Sequence, residues 1–148
     1  MRTVKLEELY RVPKRETDSE LTLAPGEILT KVAIPAATGK NFSYEARHKQ
    51  AQDWPIVLAS TNLTLDGDTV SAARIFIYGV APIPYRSAAA EKVITGKRVS
   101  LETAALAGEA AVAGAAPLSM NAYKVPMTQN VVKRALLGAV GNRYWEEA

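Results

Sequence analysis

The stretch IVLASTNLTLDGDTVSAARIFIYGV, residues 56–80, decides the fold. Val57, Ala59, Thr61, Leu63 and Leu65 recur at every second position, and an extended backbone turns all five to one face. The run stops at Asp66-Gly67, a dipeptide suited to the left-handed conformations of a tight hairpin turn. In the second run Ile75, Ile77 and Gly79 oppose Arg74, Phe76 and Tyr78. Two alternating runs joined by such a turn predict an antiparallel hairpin with one buried face.

Working outward, NFSYEARH at 41–48 carries Phe42 and Tyr44 on one face, and EILTKVAIP at 27–35 alternates again. Ile28, Thr30, Val32 and Ile34 oppose Leu29, Lys31 and Ala33 until Pro35 interrupts, so a strand is expected over 28–34. The first 27 residues are polar clusters ending in a Pro25-Gly26 turn signal, with Val4, Leu6, Leu9 and Tyr10 as packing positions. They read as an arm, or the remnant of a preceding domain. Beyond the hairpin the period becomes helical. Ser87 to Thr95 forms a short helix ended by Gly96; Ser100 caps LETAALAGEAAVAGAA, with Pro117 as its stop; a third helix carries Met127, Val131, Ala135 and Leu136 on one stripe with Pro126 near its start. Strands first and helices afterwards predict an α+β domain over 28–148, an antiparallel sheet of three to four strands covered by about three helices.

Composition narrows the chemistry. With no cysteine among 148 residues, thiolate metal sites, disulfides and cysteine nucleophiles are excluded. The lone His48 does not build a histidine-rich metal site, so neither a metal nor a catalytic residue is assigned. The net charge of +3 comes from scattered lysines and arginines, which argues against nucleic acid. Phe42, Tyr44, Phe76 and Tyr78 are the ingredients of an RNA-binding sheet but are better explained as sheet core. No apolar run is long enough for a bilayer, and no leader is evident, so a cytoplasmic protein is expected. Glycine-rich phosphate loops, nucleophile elbows and zinc helices do not occur.

One corner stands out. In YGVAPIPYRSAAAEKVITG, residues 78–96, Pro82 and Pro84 hold an extended path, the alanines let a helix pack on the strand it has just left, and Arg86 stands where it can reach a carbonyl or carboxylate. On physical grounds this is a structural joint.

LAPGEILTKVAIP (23–35), FSYEARHKQAQDW (42–54), the corner 78–96 and PLSMNAYKVPMTQNVVKRAL (117–136) together resemble, in order and spacing, the C-terminal part of the FAD-binding medium subunit of molybdenum hydroxylases, the group of carbon monoxide dehydrogenase, xanthine dehydrogenase and aldehyde oxidase. The NAYKVP variant is most similar to the bacterial three-subunit aldehyde or xanthine dehydrogenase type. The resemblance implies a subunit that relays electrons from molybdenum and iron–sulfur subunits through FAD to an acceptor, and a structural role for Arg86.

It also implies that the flavin is approached by EARHKQAQDWP, residues 45–55, where Asp53 and Trp54 match an acidic residue and a neighbour, sometimes aromatic, close to the isoalloxazine. An indole there would stack on the ring; the plainer alternative is that Trp54 begins a strand and packs on the sheet. Two departures are visible. The family often has Lys where Ala46 stands, with Arg47 or Lys49 as substitutes, and the glycine-rich N-terminal half that grips the pyrophosphate is not in this sequence. FAD is thus expected to be shared with an N-terminal FAD-binding half, and the chain alone is expected neither to hold it nor to be active. An exposed docking surface is expected around Tyr44, Trp54 and the arm. The alternative function is an assembly module that kept the fold and lost the flavin site.

Overall fold

The computed structural model describes residues 1–36, 38–49 and 52–146. Its centre is the expected hairpin: β2 (Val57–Asp66) and β3 (Thr69–Tyr78) run antiparallel and turn at Gly67, whose φ of +57° explains the glycine. β1 (Lys40–Ala46) pairs on the outer side of β2, and the two-residue β4 (Tyr85–Arg86) pairs on β3, giving one sheet in the order β1-β2-β3-β4. Register puts Phe42 opposite Thr61 and Tyr44 opposite Ala59, so the strand period delivers one continuous apolar face. Val57, Ala59, Leu63, Ile75 and Ile77 on that face are fully buried.

Three helices cover it. α2 (Ala88–Ile94) lies along β3, α4 (Lys124–Ala139) crosses β1 and β2, and α3 (Leu101–Val112) wedges against both helices. Ser87 caps α2 and Ser100 caps α3, each accepting a hydrogen bond from an otherwise orphan N–H, as expected from the sequence. The small face of α3, Ala104, Ala107, Gly108 and Ala111, is buried, and a Cβ on Gly108 would stand 2.5 Å from the Gln129 carbonyl oxygen of α4. Val131, Ala135 and Leu136 of α4 are buried and Met127 packs against the same core, matching the expected stripe. Thr61, a polar residue within this core, donates its hydroxyl to the carbonyls of Phe42 and Ala135 at 3.3 Å each and so ties sheet to helix.

The corner is the joint the sequence suggested, and Glu91 is what Arg86 reaches. Arg86 forks onto Glu91 with Nε to Oε1 at 2.9 Å and Nη2 to Oε2 at 2.7 Å. Glu91 Oε1 also accepts the Ile75 backbone N–H at 3.0 Å, where β4 has ended and offers β3 no further carbonyl. A carboxylate thus finishes the sheet edge. Burial alone would push the Glu91 carboxyl up, but the Arg86 hydrogen bonds, the Ile75 N–H and the nearby guanidinium charges hold it below its ordinary range.

The first 27 residues form an arm folded on itself. The short helix α1 (Leu6–Leu9) leads into a bridge between Tyr10 and Leu21, and Arg2 forks onto Glu27 at 2.7 and 2.8 Å. The Arg2 hydrogen bonds, with a further one from the Ala24 N–H, lower the Glu27 carboxyl to about 2.

Three expectations are corrected. Residues 28–34 form no strand, and Ile28, Val32 and Ile34 stand 81%, 57% and 85% exposed, because no described strand lies beside them to complete their hydrogen bonds. α3 ends at Val112, five residues before Pro117, so the proline is not its stop. Phe76 and Tyr78 are exposed on the sheet face away from the helices and are not core, whereas Phe42 and Tyr44 pack against it. None of the helices among the described residues is long and apolar enough to cross a membrane.

Candidate functional site

The loop between β1 and β2 is fixed at its base by the Ile56 N–H donating to the Ala46 carbonyl at 2.8 Å. The end of β3 abuts the same point: Gly79 has φ +82°, and any Cβ there would fall 2.4 Å from the Ile56 carbonyl oxygen. Within the loop, Asp53 Oδ2 accepts the Lys49 backbone N–H at 3.0 Å, and Gln52 takes a φ of +53°, a strained value for a residue with a side chain. Gln50 and Ala51, also part of the expected flavin-facing segment, lie outside the described residues.

Asp53 is therefore half-buried and occupied in stapling the loop, while the adjacent Trp54 is 81% exposed. The plain reading of Trp54 as a residue packed on the sheet fails on that exposure. Pro55 disfavours a helical backbone for Trp54 and keeps the indole on an extended stretch. Of the two candidates to replace the family lysine, Arg47 is held by Glu45 at 2.6 Å, and Lys49 makes no ion pair among the described residues. The structure brings Asp53 and Trp54 together but separates Tyr44 from them. Tyr44 is half-buried under α4, where it accepts a hydrogen bond from Arg134 Nη1 and meets Trp145 edge-on with centroids 5.2 Å apart, so the expected exposed surface does not include it.

An exposed indole on a stapled backbone has the chemistry to form a wall for a planar ring such as that of a flavin. The dinucleotide phosphates find no matching cradle among the described residues. Gly39 and Gly79 are consumed by close backbone contacts, and Gly26, Gly67, Gly96 and Gly141 each serve an isolated turn. No cluster of three or more metal-ligating side chains occurs among the described residues.

Two features escaped the sequence. The first is the cover over Phe42 and Tyr44 by the 3-10 turn Tyr144–Glu146, with the Arg134 guanidinium 5.1 Å from the Tyr44 ring and 5.6 Å from Trp145. These partners are about a hundred residues apart, and no local pattern joins them. The second is a cleft of about 490 Å³ between the end of β3, the corner, the end of α3 and the first turn of α4, where Lys124 Nζ donates to the Gly79 carbonyl at 2.8 Å. Its only local signal is the small-residue run after Val112.

Comparison with known proteins gives this geometry a family. The sequence profile described as CO dehydrogenase flavoprotein C-terminal domain matches residues 42–139. The carbon monoxide dehydrogenase medium chain of Hydrogenophaga pseudoflava is 32% identical over 122 residues, which cover 79% of this chain and 42% of that one. Among solved structures, the cyanide-inactivated form of the Cu,Mo-CO dehydrogenase superposes with a TM-score of 0.71 at 26% identity, over 83% of this chain and 45% of that chain. Quinoline 2-oxidoreductase from Pseudomonas putida 86 gives 0.65 at 26% identity, over 73% and 38%. The chain belongs to the CO dehydrogenase flavoprotein C-terminal domain family, the C-terminal domain of the flavoprotein subunit of molybdenum hydroxylases. It spans less than half the length of each of these relatives.

Proposed function

We propose that this chain serves as the C-terminal part of a flavoprotein subunit in a molybdenum hydroxylase of the xanthine or aldehyde dehydrogenase-like kind. FAD, when bound, passes electrons between the iron–sulfur and molybdenum subunits and an external acceptor. An N-terminal FAD-binding half of the subunit holds the phosphates. The residues of this chain contribute a wall: Trp54 lies against the isoalloxazine and excludes water from one side, and Asp53 holds the loop that presents it. The partners are that half, the iron–sulfur subunit and the molybdopterin subunit, and the setting is the cytoplasm.

Trp54 is the observation that supports this most. A large side chain left 81% exposed on a loop closed at its base and stapled by Asp53 is a surface prepared for cover. Covering it would contribute about 1.5–3 kcal/mol by removal of apolar area from water. The test is Trp54→Ala in the chain co-expressed with the remaining part of a medium chain. Because the indole is 81% exposed, the melting temperature of the chain is expected to stay within about 2 °C of the parent. Flavin fluorescence is expected to rise several-fold as the stacked quencher is lost, with assembly and FAD content retained. An unchanged flavin spectrum in an intact assembly would refute the role of Trp54.

That same unchanged spectrum would favour the second reading, an assembly module without a flavin site. Ala46 in place of the family lysine, together with the engagement of Arg47 by Glu45, supports it.

A further inference from the structure

The cleft at the end of β3 exists because the chain leaving α3 carries nothing large enough to fill it. Residues 113–116 read Ala-Gly-Ala-Ala, and a Cβ on Gly114 would meet no atom within 4 Å. The space left is about 490 Å³, enough to enclose a small organic molecule. Ile77, Val80, Val112 and Val125 give it apolar walls. Among the described residues no Asp or Glu lines it.

One charge stands in this apolar setting. Lys124, half-buried at the start of α4, uses one ammonium N–H on the Gly79 carbonyl at 2.8 Å and makes no ion pair among the described residues. An ammonium has three N–H donors, so two remain. Two neutral donors share the cleft. Asn121 accepts the Leu118 N–H through Oδ1 at 2.7 Å, and neither its amide N–H groups nor the Tyr85 hydroxyl has a hydrogen-bond partner among the described residues.

A cation and two donors between apolar walls, with no acid among them, complement a carboxylate on a small hydrophobic body. The walls cover the body, and the ammonium meets the carboxylate in a charge-assisted hydrogen bond while keeping its bond to Gly79. An inorganic anion would lose hydration and leave the walls uncovered. We infer that this cleft binds a small apolar monocarboxylate through Lys124. Trp54 is not part of the lining, so the site goes beyond the flavin role proposed above and does not depend on it.

Calorimetric titration of the full chain with benzoate and with hexanoate tests this, with benzyl alcohol as the neutral counterpart of benzoate. At least one carboxylate is expected to bind with a Kd below about 1 mM. Benzyl alcohol should bind about tenfold or more weakly than benzoate, and Lys124→Met should erase that difference by weakening benzoate alone. Amide shifts caused by the bound carboxylate should centre on Gly79, Gly114 and Asn121. Should Lys124→Met fail to fold, the preference of the parent for benzoate and the position of the shifts decide. The site is overturned if neither carboxylate saturates below that limit, if benzyl alcohol binds as well as benzoate, or if the shifts centre elsewhere. It is also overturned if the chain alone binds a carboxylate but its co-expressed assembly with the FAD-binding half excludes it, because the cleft is then a seat for protein. If no assembly forms, the functional reading fails and the carboxylate site, measured on the chain itself, stands.

Discussion

Replacing Glu91 tests the joint between sheet and helix. Glu91 is 7% exposed and its carboxylate holds two strands at once, through the fork with Arg86 and the hydrogen bond from the Ile75 N–H. Glu91→Ala deletes both and leaves the Ile75 N–H without an acceptor at a buried position, which costs about 1–3 kcal/mol. The Arg86 fork adds less than a fully buried pair, because the arginine side chain is 44% exposed and water screens it. Together these give about 2–4 kcal/mol for Glu91→Ala. Glu91→Gln keeps an oxygen for Ile75 but turns an amide donor toward the guanidinium, so about 1–2 kcal/mol is expected. Urea unfolding measures both. With a slope of about 2 kcal/mol/M, the alanine variant should lose about 1–2 M in midpoint and the glutamine variant about half that. The pH dependence carries a sign. The folded carboxyl lies below its ordinary 4.5, so its contribution is complete above that pH and disappears as pH falls through the depressed folded value. The gap between parent and Glu91→Gln should therefore close in acid. Variants within about 0.5 kcal/mol of the parent, or a gap unchanged in acid, would refute the assignment of the joint.

Gly138→Ala places a Cβ 2.3 Å from Phe42 Cε1 and within 2.8 Å of two other ring atoms, where α4 crosses β1. The ring must shift from under Trp145, so a loss of about 1–3 kcal/mol is expected, read as a lower melting temperature with altered tryptophan emission. Glu27→Gln should open the arm at neutral pH, seen as faster proteolysis between residues 11 and 20. In the parent the same lock is complete above about 4.5 and lost as pH falls through about 2, so the parent should acquire the variant's cleavage rate only in strong acid.

The fold was legible wherever the signal was local. The alternation of 57–63 and 74–78 and the serine caps each act within a few residues and appear as read, whereas the turn falls one residue later than Asp66-Gly67, at Gly67-Asp68 between the paired Asp66 and Thr69. Arg86 was recognisable as a reaching residue, but its partner was not, because a charged Glu91 on a short helix looks like a solvated face until β4 ends beside it. Helix α3 stops before Pro117 because small residues from Ala113 onward no longer bury a face, a packing effect that punctuation by proline does not report. Residues 28–34 mark the opposite limit. Their alternation predicts a strand that the structure does not form, because a period of two does not by itself supply a neighbouring strand to pair with. At the loop, the sequence resemblance singled out Asp53 and Trp54, and only the structure showed the first engaged with Lys49 and the second free.

The division of labour over the cofactor is the core of this account, and FAD stoichiometry addresses it most directly. The chain is purified once alone and once co-expressed with the FAD-binding half of a medium chain, and bound flavin per protein is read from absorbance after exhaustive dialysis. The predicted result is a colourless chain alone and one tightly held FAD in the assembled pair. A chain that retains stoichiometric FAD unaided, or an assembled pair that retains none, would contradict it.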